Sequence, residues 1–370
     1  MSTEDEGFDY DGYLLYNEIC EVHDVTDQEF EGTPRSVENH LLEEYLPEFE
    51  EGDSRDEGEG FELSDIRSYT SDLPNSTQEF INSLVSLRHR KEDYETEEAE
   101  ISPDKPRQDV KIPNEQAVHI FWKSPDKLLV RGPDGAADHA KDEFNTWIGQ
   151  SAQVHSIGLP NDFLLWMFKK IYYDEDLTDK LKLGKLTDAK VEGAEDVLGK
   201  ENTVKESSNA KEAPTLLIGL LLGKSLTMME GNFVLKISDE GETKEKSIRI
   251  QIERDKIQIK SSKAGMNNAS KIEKMGYATE SAYEIMELYE EWQEIRDDDS
   301  TQEHIVPPTF LEALLIKSHE NDIPIEDRST ILSVLRQYAN RRGDSLTDDY
   351  NIDEGLDLLD PDNDDNEDSD

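Results

Sequence analysis

Cysteine is almost missing: a single residue, Cys20, stands among 370, which excludes an internal disulfide framework and leads us to expect a reducing, intracellular setting. Long apolar runs are missing as well. The longest, Leu216 to Leu222, falls far short of the ~20 residues that a membrane-spanning helix requires. The first residues, Met1-Ser-Thr-Glu-Asp-Glu6, have neither the basic nor the apolar region of a secretion signal. Cations are outnumbered, with 39 Lys and Arg against 87 Asp and Glu and a formal net charge of -48. So acidic a chain repels phosphate, and direct nucleic-acid binding is not expected; competition with nucleic acid for a basic protein is. The eight histidines, His23, His40, His89, His119, His139, His155, His304 and His319, include no pair at metal-ligand helical spacing, so neither a metal nor any other cofactor is expected.

Hydrophobic residues make up only 34%, the same share as charged ones, which leaves so long a chain short of core material and implies that part of it is unfolded. The acid is unevenly spread. Residues 1 to 100 hold 31 acids against 6 bases, and residues 343 to 370 hold 13 acids and no base. A salt-adapted protein would spread acid over every folded surface and shed lysine, whereas this chain keeps 25 lysines, mostly in its middle.

The densest apolar stretch runs from Pro214 to Lys260. It begins almost continuously hydrophobic, through Met229, and then alternates, as in Ser247-Ile-Arg-Ile-Gln-Ile-Glu253 and Lys256-Ile-Gln-Ile-Lys260, a period of two that puts the isoleucines on one face of a small sheet. Ala117 to Trp122 and Lys127 to Arg131 read as a hairpin across Ser124-Pro125-Asp126. Ala140, Phe144, Trp147 and Ile148 mark one buried helix face, and residues 161 to 173 a helix apolar nearly all round. A further helix runs from Ser281 to Arg296, and two more, around 308 to 317 and 331 to 338, form a hairpin.

The expected fold class is therefore α+β: a disordered acidic N-terminal region over 1–110 with short amphipathic helices, and a small α+β domain over 115–183. A linker follows over 184–213, then a β-meander with flanking helices over 214–300, a C-terminal helical hairpin over 305–343 and a disordered acidic tail over 344–370. Within the head lie three apolar islands: Phe8 to Ile19, Ser36 to Leu46, and Ser76 to Arg90. The second carries Leu41, Leu42 and Tyr45 at helical spacing. Such helices either dock on a partner or pack within the chain.

Catalytic motifs are few. Gly219-Leu-Leu-Leu-Gly-Lys-Ser225 is one residue short of a phosphate-binding loop, and its leucines suit a core better than an anion cradle. The acidic run after Asp360 begins like a calcium loop but has Asp365 where glycine is needed. Ser2, Thr3, Ser54, Ser76 and Ser345 each have an acid three residues downstream and Thr77 one two residues downstream, a context open to acidophilic kinases.

In layout the chain resembles the phosphoproteins of non-segmented negative-strand RNA viruses, which act as polymerase cofactors. An acidic head with amphipathic islands, a folded middle, a linker and a helical C-terminal unit carrying Arg336, Arg341 and Arg342 are the features compared. The resemblance implies a non-catalytic, multivalent adaptor in viral RNA replication, one that chaperones nucleoprotein and links it to an RNA polymerase. Phe8, Tyr10, Tyr13, Leu14 and Tyr16 would then be the docking island, and Arg336, Arg341 and Arg342 would contact the nucleoprotein template. Those arginines equally suit the end of a helix. The partners are a basic protein such as nucleoprotein and a polymerase, with no membrane and with homo-oligomerisation open. The location is the cytoplasm, of the host if the protein is viral, or the nucleus. A cellular transcription coactivator with acidic docking segments is the alternative, and an enzyme of unfamiliar class a further one.

Overall fold

The computed structural model describes residues 13–52, 57–99, 108–193, 199–207, 210–221, 224–239, 241–261 and 264–297. Eleven strands and six α-helices run through them. They are β1 (Tyr13–His23), α1 (Pro34–His40), β2 (Gly58–Leu63), α2 (Asn75–Asn82), β3 (Val85–Ala99), β4 (Gln108–Lys123), β5 (Lys127–Arg131), α3 (Asp134–Ile148), β6 (Gln153–Ser156), α4 (Asn161–Tyr172), β7 (Leu181–Glu192), β8 (Glu201–Val204), α5 (Pro214–Leu221), β9 (Ser225–Asp239), β10 (Glu242–Glu253), β11 (Ile257–Lys260) and α6 (Lys271–Asp297).

The chain divides into two compact units. The first comprises Met1–Gly158, Leu235–Ile250 and Asp255–Glu284, the second Leu159–Val234, Gln251–Arg254 and Ile285–Asp370. In the first unit the strand order is β2-β3-β4-β5-β1-β11-β10-β9, with β6 also pairing β1; in the second it is β9-β7-β8.

This overturns the expected fold class in two respects: the sheet is large, not small, and the acidic N-terminal region is no disordered head. Residues 13–99 supply β1, β2 and β3 together with α1 and α2. β1 lies between β5 and β11, antiparallel to both, with its Cys20–His23 end also paired to β6. Leu14, Tyr16, Ile19 and Cys20 are buried along it. Strict alternation is broken by an irregularity between Tyr16 and Glu18, which puts Tyr16 and the next residue, Asn17, both inside. Phe30, Val37, Leu41, Phe61, Val85 and Leu87, all from the acid-rich region, share one core with Ile120, Trp122 and Phe144. Each such side chain contributes about 1.5–3 kcal/mol on burial. The ring of Phe30 meets Trp122 edge-on at 5.2 Å.

In the second island Thr33 caps α1, its side chain accepting from the Ser36 amide, and the chain then widens into a π-turn over Leu41–Tyr45. The third island is a helix only as far as Asn82; Leu87 belongs to β3. Charge itself stabilises β3, where Arg88 and Arg90 lie between Glu62 of β2 and Glu115 of β4.

Residues 184–213, expected as a linker, contain most of β7 and all of β8. The β4–β5 hairpin pairs His119 with Arg131 through Lys123 with Lys127. The isoleucine alternation lies in β10 and β11, with Ile248, Ile250, Ile252, Ile257 and Ile259 all buried. In α3, Ala140, Phe144 and Ile148 are buried while Trp147 is 45% exposed. The expected C-terminal helical unit and acidic tail lie outside the described residues.

Within the first unit, the early part of α6 is buried and tied to the sheet. Tyr283 donates its hydroxyl proton to the Phe121 carbonyl at 2.8 Å and accepts the Lys123 amide at 3.2 Å, and Thr279 and Tyr16 share a hydroxyl contact at 2.8 Å. In the second unit Phe163 of α4 packs edge-on against Tyr289 and Trp292 at 5.4 and 5.9 Å.

Candidate functional site

Among the described residues, those expected to dock a partner are not gathered on one surface. Leu14 and Tyr16 are fully buried in β1 and only Tyr13, 46% exposed at its start, faces out. Leu41 is fully buried, while Leu42 and Tyr45 are partly buried against the same core. The Tyr45 hydroxyl donates to Asp27 Oδ2 at 2.7 Å and contacts Ser151 Oγ at 2.8 Å, and His40 reaches the same Asp27 oxygen at 2.7 Å. Those bonds, with the Glu29 amide, hold the Asp27 carboxyl down at about 2. Of the hydroxyls expected to be phosphorylated, Thr77 is fully buried and donates to Glu280 Oε2 at 3.0 Å, and Ser76 Oγ accepts the Ser238 amide at 3.0 Å. Phe8, Tyr10, Arg336, Arg341, Arg342, Ser2, Thr3, Ser54 and Ser345 lie outside the described residues.

The phosphate-loop likeness dissolves into structure. Gly219 sits inside α5, and Lys224 is buried with its ammonium donating to Asn202 Oδ1 at 2.6 Å. A cavity of about 300 Å³ near it in sequence is lined by Ile171, Leu183, Leu186 and Lys211, but Lys211 pairs with Asp174. Of its two lysines, Lys185 and Lys211, the second is thereby neutralised by an adjacent acid.

A different set of side chains converges in the first unit. Glu59 on β2, His89 on β3 and His139 on α3 bring one ligand atom each within 4.8 Å of one another. The β2–β3 register, Glu59 opposite Lys91 and Phe61 opposite His89, fixes two of them. Gly60 permits the close approach: a Cβ there would come within 2.6–2.7 Å of the Glu48–Phe49 backbone. The third is set by α3, anchored through buried Ala137, Ala140 and Phe144 on either side of His139. The ring of Phe61 lies 4.8 Å from that of His89, which is only 2% exposed, and the two imidazoles meet edge-on at 5.6 Å.

Glu59 Oε1 stands 2.5 Å from His139 Nε2 and 3.3 Å from His89 Nε2. The latter approach is off the line of a hydrogen bond, so that buried nitrogen has no hydrogen-bond partner. Burial lowers the His89 pKa to about 4 against the opposing pull of Glu59, so the ring is neutral at ordinary pH. A cleft of about 180 Å³ opens beside the two histidines, with Lys91, Asp93, Gln116 and Gly135 among its walls. Fifty residues separate the two histidines in sequence and thirty separate Glu59 from His89. No spacing rule reaches that far; the only local sign was a histidine flanked by arginines in a strand.

A last surface feature is a ribbon. β2 pairs with β3 only up to Glu92 and β5 with β4 only from His119, while β3 and β4 stay paired with each other from Asp93–Asn114 out to Ala99–Gln108. Along it the chain carries Asp93, Glu95, Glu97, Glu98 and Asp109 against Lys111. Among the described residues no helix is long and apolar enough to cross a membrane. Compared with protein-family models and with curated proteins, the chain has no match, and its function is read from this geometry.

Proposed function

We propose that the protein is a non-catalytic adaptor that recognises a basic protein through an acid-rich β-ribbon of its fold. The observation that carries the reading is the β3–β4 ribbon, a two-stranded arm with acids at 93, 95, 97, 98 and 109 and one base. Charged ribbon edges resist pairing with another copy, and a dense field of one sign steers a partner of the other. The two cavities described above, of about 180 and 300 Å³, are small beside the clefts that hold most substrates. The layout resemblance supplies the specific form of the proposal: the basic protein is an unassembled nucleoprotein, kept from RNA and delivered to a polymerase. With residues 13–99 built into the fold, recognition is assigned to the ribbon and not to an unfolded head.

The test is binding of the full chain to an RNA-free nucleoprotein at low and high salt, beside the triple variant Glu95→Lys, Glu97→Lys, Glu98→Lys. The reading expects association that weakens at least tenfold between 0.05 and 0.5 M salt and in the variant. Nucleoprotein binding untouched by the triple reversal would sink the ribbon's role. A coactivator domain bound in place of nucleoprotein would select the cellular alternative.

A further inference from the structure

Glu59, His89 and His139 are an unusual grouping for a plain ion pair. One carboxylate faces two imidazoles through a single oxygen, both histidines turn Nε2 toward it, and His89 is buried. A salt bridge needs one cation, and His89, held neutral in its buried setting, is not one. Two imidazoles and a carboxylate are instead the donor set that zinc takes in three-ligand sites with an open fourth position.

The distances agree. Ligand atoms about 2.0–2.1 Å from a tetrahedral metal lie roughly 3.3 Å apart. Glu59 Oε1 to His89 Nε2 is 3.3 Å, and all three ligand atoms fall within 4.8 Å of one another. The Glu59–His139 contact, 2.5 Å, must open by somewhat under 1 Å, roughly, to admit an ion at such distances. Those two side chains are 36% and 38% exposed, so they have room to move, while His89 at 3% is the fixed member.

We propose that Glu59, His89 and His139 form a binding site for a zinc-like divalent transition-metal ion, with the fourth position open to the adjoining cleft. Around it Lys91 and Asp93 offset each other, which leaves Glu59 to supply the net negative charge. Gly135, at whose Cβ position nothing lies within 4 Å, leaves space for a water or a small anionic ligand there. Two nitrogen donors select against calcium and magnesium, which prefer all-oxygen shells and will instead associate with the chain's many carboxylates. Ligands from β2, β3 and α3 make the ion a clip across three elements. The proposal is independent of the adaptor reading.

The test strips the full chain with a chelator and back-titrates Zn2+ or Co2+ in excess Mg2+, which occupies the diffuse acidic sites. One equivalent of zinc should stay bound, cobalt should give the visible spectrum of a tetrahedral site, and the melting temperature should rise. His139→Ala alters a half-exposed position, so the fold is retained, and it should weaken zinc binding at least tenfold; Glu59→Gln should act in the same direction. His89→Ala leaves a hole in the core and is read only if its circular dichroism is unchanged. Zinc affinity identical in His139→Ala, Glu59→Gln and the parent chain would overturn the proposal. So would complete displacement of cobalt by Mg2+, leaving Glu59 and His139 as an ion pair only.

Discussion

At the scale of single residues, side chains that look like docking groups in sequence are engaged inside the fold. Tyr45 is the clearest instance, since its hydroxyl bonds both Asp27 and Ser151. Tyr45→Phe should lower stability by about 1–2 kcal/mol, measured by urea unfolding, because a charge-assisted hydrogen bond and a contact to Ser151 are lost together. An unchanged midpoint would free Tyr45 for the partner role. His89 gives a pH signature. Its folded pKa of about 4 lies below the ordinary value of 6.5, so the unfolded chain takes up the proton first as pH falls. The contribution is whole above pH 6.5 and is lost as pH drops from 6.5 through 4, about 3 kcal/mol in all. Glu59 opposes the lowering of the His89 pKa, and the charges of His139 and Lys91 add to it. Unfolding of the metal-free chain between pH 7 and 4 should show this slope, and His89→Gln should flatten it.

At the scale of elements, the legible ones were those whose apolar pattern survives averaging. The β4–β5 hairpin, α3, α4, β10 and β11 stand near their expected places because their core residues recur at the period of the element. β1 and β3 were hidden for physical reasons. A bulge breaks the alternation of β1, and β3 draws part of its stability from opposite charges across strands, which in sequence read as a soluble acidic tract. α2 shows the consequence for regulation. Thr77 has an acid two residues on, Glu79, yet it is buried against Glu280. An acidophilic kinase should therefore label Thr77 in a peptide of this region and leave it unlabelled in the native chain, as read by mass spectrometry. Thr77→Glu, which sets a second carboxylate beside Glu280, should cost about 3 kcal/mol or more.

At the scale of the whole molecule, the net charge of -48 acts on stability before it acts on any partner. Like charges repel across the folded surface, and salt screens them over about 10 Å at 0.1 M. Raising NaCl from 0.02 to 0.5 M should raise the melting temperature; a fall would mean that ion pairs such as Arg90 with Glu115 outweigh the repulsion. The sequence by itself determined the acidity, the lack of disulfides and the isoleucine faces of β10 and β11, because these depend on composition or on neighbours a few residues apart. Only the tertiary structure decided that residues 13–52 and 57–99 of the acid-rich region fold with the sheet and that Glu59, His89 and His139 meet. Such contacts join strands and a helix thirty to eighty residues apart, and no local pattern of side chains carries information over that distance.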